Sequence, residues 1–243
     1  MIDIHSHIIF AVDDGAQNEQ DTLSLLRESY NQGVKKIIAT PHRRKNMFET
    51  SDEVIIANFQ RVKELAKEVA EDLEIYLGSE VYYTQGVLEK IEQGKYEKLA
   101  NSDYLLIEFS YTISYRELIK ALKNIVLLGI TPVVAHIERY ECLREDIDRV
   151  RELIDNGCLM QINTSSVLRR KLLGDKHKRY KKITKLYLEH DMVHFIASDM
   201  HNLDQRPTYI KESYRIIEQD YGKERADKLF KINAQKILDN EII

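Results

Sequence analysis

Residues 2–10 read Ile2-Asp3-Ile4-His5-Ser6-His7-Ile8-Ile9-Phe10. The apolar alternation that opens this stretch has the period of a strand, in which residues i and i+2 share a side. His5 and His7 therefore present two imidazoles in one direction, close enough to grip one metal ion. The turn after the strand bears on the fold. An open doubly wound sheet binds a nucleotide at a glycine-rich first turn, and here there is neither GxGxxG nor GxxxxGK(S/T). The strand ends in metal-binding chemistry instead, which favours a closed, distorted (β/α) barrel.

Outward from this stretch, short runs of branched apolar residues alternate with longer amphipathic segments, the rhythm of βα units and a parallel sheet. Strands are expected at 2–5, 36–40, 73–80, 104–109, 131–136, 158–163 and 193–198, seven in all. Helical patterns fill the intervals. Residues 19–32 carry Leu23, Leu26 and Tyr30 and end near Gly33; residues 52–71 repeat at Ile55, Ile56, Phe59, Val62, Leu65, Ala66 and Val69. Residues 115–128 line up Leu118, Leu122, Ile125 and Val126 and stop at Gly129, a C′ glycine. Further helices are expected at 85–93, 147–156, 178–190, 206–220, 223–231 and 233–239. A chain of 243 residues suits one barrel, and no Pro/Gly/Ser-rich linker divides it, so residues 1–243 are read as one domain.

The strand ends share one grammar. Lys36-Ile37-Ile38-Ala39-Thr40 runs into Pro41-His42; Leu77-Gly78-Ser79 into Glu80; Tyr104-Leu105-Leu106-Ile107 into Glu108; Pro132-Val133-Val134-Ala135 into His136; Phe195-Ile196-Ala197-Ser198 into Asp199-Met200-His201. In a parallel barrel these ends converge on one rim, where active sites lie. A lone Glu or Asp at a strand end is more often a helix cap or rim charge. The joint pattern argues otherwise, because five of the eight histidines sit at these ends, whereas His177, His190 and His194 do not and read as exposed or core. His5, His7, His42, Glu80, Glu108, His136, Asp199 and His201 exceed the about four to six ligands of one transition metal, so two or three ions are implied. Asp13-Asp14-Gly15 in the first loop adds one more carboxylate, and spacing does not choose between the two aspartates.

Imidazoles and carboxylates without thiolate suit divalent Mn, Fe or Zn. Three such ions against four carboxylates leave a site of about +2, which welcomes a phosphate dianion. Arg43 and Arg44 follow His42, Arg139 follows His136 by three residues and Arg206 follows His201 by five, all in loops on the same rim. Guanidinium groups bind phosphate oxygens through paired donors. Arg139 and Arg206 are the leading candidates.

The ordered set His5-Ser6-His7, Asp13-Asp14-Gly15, Thr40-Pro41-His42-Arg43, Gly78-Ser79-Glu80, Ile107-Glu108-Phe109-Ser110, Ala135-His136-Ile137-Glu138-Arg139-Tyr140 and Ala197-Ser198-Asp199-Met200-His201-Asn202 resembles the PHP (polymerase and histidinol phosphatase) superfamily. Within it the chain is most similar to the bacterial manganese-dependent protein-tyrosine phosphatases of capsule and exopolysaccharide operons. The resemblance implies a distorted barrel with three Mn2+ ions: one on His5, His7, Glu80 and Asp199; a second on Glu80, Glu108 and His136; a third on Asp14, His42 and His201. Glu108 and Asp14 stand where many PHP relatives have histidine. It further implies hydrolysis of phosphotyrosine, on a membrane-associated, autophosphorylated tyrosine kinase that governs polysaccharide synthesis. Arg139 and Arg206 would stabilise the phosphoryl oxygens, and Asp199 or His201 would protonate the leaving phenolate. Arg43, Arg44 and Lys45 would favour an acidic peptide, and Arg169, Arg170 and Lys171 could add to this, although solvated charge is the safer reading for those three. A histidinol phosphatase would share every ligand, whereas an amidohydrolase usually needs a bridging carboxylated lysine, and Glu80 at the end of the third strand suits the PHP pattern better.

Composition bounds these expectations. With 36 basic and 40 acidic residues the net charge is -4, which argues against nucleic-acid binding by bulk electrostatics. Cys142 and Cys158 form no disulfide framework, which fits a reducing, cytoplasmic setting. Neither is followed six residues later by arginine (Asp148 and Thr164 stand there), so the thiol-dependent Cys-x5-Arg phosphatase chemistry is excluded. No secretory signal and no apolar run long enough to cross a bilayer is read, so no membrane insertion is expected.

Overall fold

The computed structural model describes residues 1–84, 86–170, 174–175 and 177–243. Strand β1 (Ile2–Ser6) leads to helix α1 (Glu19–Asn31); β2 (Lys36–Ala39) and β3 (His42–Arg43) precede α2 (Asp52–Val69); β4 (Glu74–Leu77) and β5 (Glu80–Tyr82) precede α3 (Val87–Glu92). The chain continues through β6 (Tyr104–Glu108), α4 (Tyr115–Leu127), β7 (Thr131–Val134), α5 (Ile147–Asp155), β8 (Leu159–Asn163), α6 (Thr164–Val167) and α7 (Lys178–Glu189). It ends with β9 (Phe195–Ala197), α8 (Ile210–Tyr221), α9 (Lys223–Asp227) and α10 (Asn233–Leu238), the last two joined by a π-helical turn at Lys228–Ile232.

All pairings among these strands are parallel, in the orders β1-β2-β4 and β3-β5-β6-β7-β8-β9. The two sheets are one barrel wall with a step in it. The expected strand 36–40 forms as β2 and resumes past its expected end as the short β3, and the expected strand 73–80 is divided into β4 and β5. Pro41 has no N–H to give the ladder, and Gly78 packs so tightly that a Cβ would lie 2.9 Å from Leu99 Cδ2. Counted as halves, they leave the seven barrel strands that the sequence predicts. The wall closes between β9 and β1 through a parallel Ser6–Met200 bridge, with Asp199 N donating to His5 O at 2.8 Å and His7 N to Met200 O at 2.9 Å.

Strand alternation sorts the core into two layers. Ile37, Leu105, Ile107, Val134, Met160 and Ile196 face the surrounding helices. Their neighbours Ile38, Leu106, Val133, Leu159 and Phe195 fill the barrel, which Leu99 and Ile237 plug from below. Following the inner face upward in steps of two gives Glu108 above Leu106, and Gln161 and Asn163 above Leu159. The wet end of the barrel is thus the continuation of its dry interior.

The helices cover the outer layer as their periodicity requires, with local differences. In α1 the buried apolar residues are Leu25 and Leu26, while Leu23 and Tyr30 only lean on the core. In α2 Ile56 is exposed. Helix α4 starts on a Ser114/Glu117 capping box and ends at Gly129, whose φ of +75° is the left-handed cap expected there. The helix expected at 206–220 begins only at Ile210, after a left-handed Tyr209, so Arg206 stays in a loop over the barrel mouth. No helix among the described residues is long and apolar enough to cross a membrane.

Candidate metal centre

At the C-terminal mouth of the barrel, four side-chain atoms from three strands and their ends, β1, β5 and β9, meet. His5 Nε2 and His7 Nε2 are 3.3 Å apart; each is 3.3 Å from Glu80 Oε2, and they lie 3.5 and 3.6 Å from Asp199 Oδ1. Such separations are the edges of a tetrahedron whose centre is about 2.1 Å from each corner, an ordinary metal–ligand distance. The imidazole tautomers are fixed from behind. His7 Nδ1 donates to Asp13 Oδ2 at 2.8 Å and His5 Nδ1 to Gln161 Oε1 at 3.2 Å, leaving both Nε2 lone pairs inward. Four acceptors then face one another, which a cation resolves. Without one, protons compete for the position. Burial lowers the His7 pKa, but Asp13, Asp199 and Glu80 outweigh it and hold it well above the ordinary histidine value.

β1 reaches this arrangement by a register shift between Asp3 and Ser6, which turns His5 inward although Ile4 already faces the interior. His136 and Asp199 are turned the same way by left-handed backbone, with φ of 36° and 53°. Neither the shift nor the positive φ values are visible as residue types in the sequence.

Two further groups share members with the first. Asp14 Oδ1 is 3.4 Å from both His42 Nε2 and His201 Nε2, in a cluster that includes His7. Glu80 Oε2 lies 2.9 Å from His42 Nδ1, poorly aligned for a hydrogen bond, while Glu80 Oε1 is 3.1 Å from His136 Nε2. Glu108 Oε1 is 3.6 Å from His136 Nε2, and Glu108 also clusters with Glu80 and His42. Glu80, His7 and His42 each belong to two of the three groups, and the Glu80 carboxylate, with two oxygens, is the one able to bridge. Several atoms here are buried with no hydrogen-bond partner: His42 Nδ1, Glu80 Oε2, Glu108 Oε2 and His201 Nε2. Buried polar atoms are rarely left unpaired, so this donor set fits divalent ions. All nine residues singled out as ligands are brought together.

Electrostatics agree. Burial raises the pKa of Glu80, yet His5, His42 and His136 hold it well below the carboxylate range; for Asp199, His5, His7, Arg139 and Arg206 do the same. Glu108 is pushed up to about 8 by burial, then by the Glu80 and Asp199 charges. His136 falls to about 4 through burial and Arg139, and His201 to about 4 through burial and His7.

The arginines stand at the edge of this cluster. Arg139 Nη2 donates to Asp199 Oδ2 at 3.1 Å and its Nη1 to Tyr111 Oη at 3.0 Å; Arg206 Nη2 donates to Asp199 Oδ1 at 2.8 Å. Together they line a cleft of about 630 Å³ above the barrel mouth. Arg44 lines it too, stacked 4.0 Å over the Tyr82 ring, whereas Arg43 is paired with Asp52 and Arg169 with Asp220. Of the six basic residues weighed for contact with an acidic peptide, Arg44 alone lines the cleft among those described; Lys171 lies outside the described residues.

The structure separates two aspartates that the sequence left open and adds residues that it did not single out. Asp13 is separated from Asp14 by its work: it accepts from His7 Nδ1, Gly15 N and His42 N. Gln161 accepts from His5 and from His136 N, and passes a hydrogen bond to Asn163, whose Nδ2 donates to Asp199 Oδ2 at 2.6 Å. Two amides alternating at the end of the apolar run 158–163 were the available signal. His177 also lines the cleft, although it follows no strand.

Comparison with known proteins matches residues 1–239 to the family described as capsular polysaccharide synthesis, CpsB/CapC. Tyrosine-protein phosphatase CpsB of Streptococcus agalactiae serotype V is 53% identical over 243 residues, covering 100% of both chains. A crystal structure from work on YwqE of Bacillus subtilis and CpsB of Streptococcus pneumoniae, described as unique metal-dependent tyrosine phosphatases, superposes with a TM-score of 0.89 at 29% identity, covering 100% of this chain and 96% of that one. Histidinol phosphate phosphatase of Lactococcus lactis shares the fold, with a TM-score of 0.57 at 14% identity over 94% of each chain.

Proposed function

We propose, from the premise that the chain belongs to the CpsB/CapC family of capsular polysaccharide synthesis, that it is a metal-dependent tyrosine-protein phosphatase. Its substrate is phosphotyrosine on an autophosphorylated, membrane-associated tyrosine kinase of capsule or exopolysaccharide synthesis, and its metal is Mn2+, two or three ions per chain. The observation that carries the reading is the meeting, on one cleft floor, of three overlapping His/carboxylate groups with two guanidinium groups. Full-length similarity to proteins of that activity supports it.

His5, His7, Glu80 and Asp199 hold the first ion; Glu80, Glu108 and His136 the second; Asp14, His42 and His201 the third. Ions bound there supply Lewis acidity, lowering the pKa of water and offsetting phosphate charge. Asp13 and Gln161 keep the imidazoles of His7 and His5 aimed. Arg139 and Arg206, each one hydrogen bond from Asp199, reach a phosphate lying over the cluster and bind its equatorial oxygens. Asp199 stays ionised and is engaged by Asn163 and both arginines, and His201 donates Nδ1–H to the Asp199 carbonyl at 3.0 Å. Both are therefore read as ligands rather than proton donors. Tyrosinate is a fair leaving group and departs without strong acid assistance.

The test is kcat/KM of Mn-loaded protein for a phosphotyrosyl peptide against histidinol phosphate. The expected result favours the peptide by at least about tenfold. A preference for histidinol phosphate overturns the substrate assignment.

A further inference from the structure

The cleft walls carry a feature that the metal chemistry does not use. Phe48 lies parallel on His42, with ring centroids 5.0 Å apart and planes 7° from parallel. Tyr111 meets His136 edge-on, centroids 5.9 Å apart at 80°. Those two histidines sit on opposite oxygens of the Glu80 carboxylate, His42 at Oε2 and His136 at Oε1. Phe48 and Tyr111 therefore each pack on a histidine that meets a different oxygen of the carboxylate at the centre of the floor, and both line the cleft.

Both rings are held in place. Phe48 N donates to Arg44 O at 2.9 Å, closing a short turn whose Arg44 side chain stacks on Tyr82. The Tyr111 hydroxyl accepts from Arg139, the guanidinium next to Asp199. Tyr111 is nevertheless 39% exposed, and neighbouring Met47, at 57%, extends the apolar wall towards solvent.

We infer that Phe48 and Tyr111 form an aryl slot that takes the phenyl ring of phosphotyrosine while its phosphate lies on Arg139 and Arg206. The inference rests on the tyrosine-phosphatase reading and adds the residues that select an aromatic ester. A planar ring entering between two fixed rings gains stacked or edge contacts at little entropic cost. The short side chains of phosphoserine and phosphothreonine leave the same walls uncovered. Phe48 and Tyr111 are specificity-determining residues; Tyr111 also positions Arg139 through its hydroxyl.

The slot is tested with two non-hydrolysable probes, benzylphosphonate and methylphosphonate, measured as competitive inhibitors of the Mn-loaded enzyme turning over a phosphotyrosyl peptide. Wild type is expected to bind the benzyl probe at least about tenfold tighter. Phe48→Ala and Tyr111→Leu should each cut that ratio severalfold, and Tyr111→Phe, which keeps the ring and loses the hydroxyl, should retain it. If Phe48→Ala does not fold, Phe48→Leu keeps apolar bulk without a planar ring and carries the same expectation. An unchanged ratio in Phe48→Ala and Tyr111→Leu, or no benzyl preference in wild type, overturns the slot. Failure of the parent reading looks different, since wild type would then turn over histidinol phosphate in preference to the peptide.

Discussion

At the scale of single residues, this site is held by groups that do not touch the reaction. Asp13 fixes the His7 ring and the His42 backbone, and Gln161 fixes His5 and His136. Gly15 lets the first loop lie on His7: a Cβ there would stand 2.1 Å from His7 O and 2.5 Å from His7 Cβ. Gly15→Ala is therefore expected to push Asp13 and Asp14 off their partners. It should cost about 1–3 kcal/mol of stability and lower metal content, read by thermal unfolding and elemental analysis; wild-type values for both would contradict this packing. The ligand set was legible because five of the eight histidines and three carboxylates recur together at the ends of apolar runs, which no single strand-end Asp or Glu would signal. Asp13 and Asp14 were not separable, because adjacent residues in a loop have no fixed period and only the fold aims them apart. Phe48 and Tyr111 were illegible for a related reason, being single aromatics in loops that become a pair only across the cleft.

At the scale of elements, the strands were legible as short branched runs, while their interruptions were not. The step between β2 and β3 and between β4 and β5 arises from Pro41 and from the close packing of Gly78 on Leu99, a tertiary contact. The join of β8 to β9 contains a titratable element. His194 Nδ1 accepts from Met160 N at 3.0 Å while His194 N donates to Met160 O at 2.9 Å, extending the ladder below Gln161 and Phe195. Burial, then Lys228, lowers the His194 pKa to about 4. A folded-state value below the unfolded 6.5 means that this contribution is fully present above pH 6.5 and is lost as pH falls towards 4. His194→Asn keeps an acceptor without the titration. In metal-stripped protein, wild type should lose up to about 3 kcal/mol more than the variant across that window. Parallel pH profiles in urea unfolding would remove His194 from the acid response.

At the scale of the whole molecule, the barrel is a device for bringing distant residues to one rim. His5 and His201 are at opposite ends of the sequence, and the β1–β9 seam puts them in one cluster region through Asp199, whose N–H donates to His5 O. The alternation of the inner face carries the chain from Leu106 to Glu108 and from Leu159 to Asn163, so packing below and ligation above come from one pattern. That continuity is why the fold class and the rim were readable together. The closed barrel was expected, but how its wall closes was not, because that depends on a register shift in β1 and on left-handed backbone at Asp199. The central claim is that strand ends from the whole chain assemble a site for several ions rather than one. The most direct measurement is the number of ions bound per chain, by elemental analysis of protein purified without chelator and then saturated with Mn2+. Two or three tightly held ions per chain in wild type, with fewer in Asp199→Asn, is the result predicted. A single ion or none, in a folded protein that still hydrolyses phosphotyrosine, would contradict it.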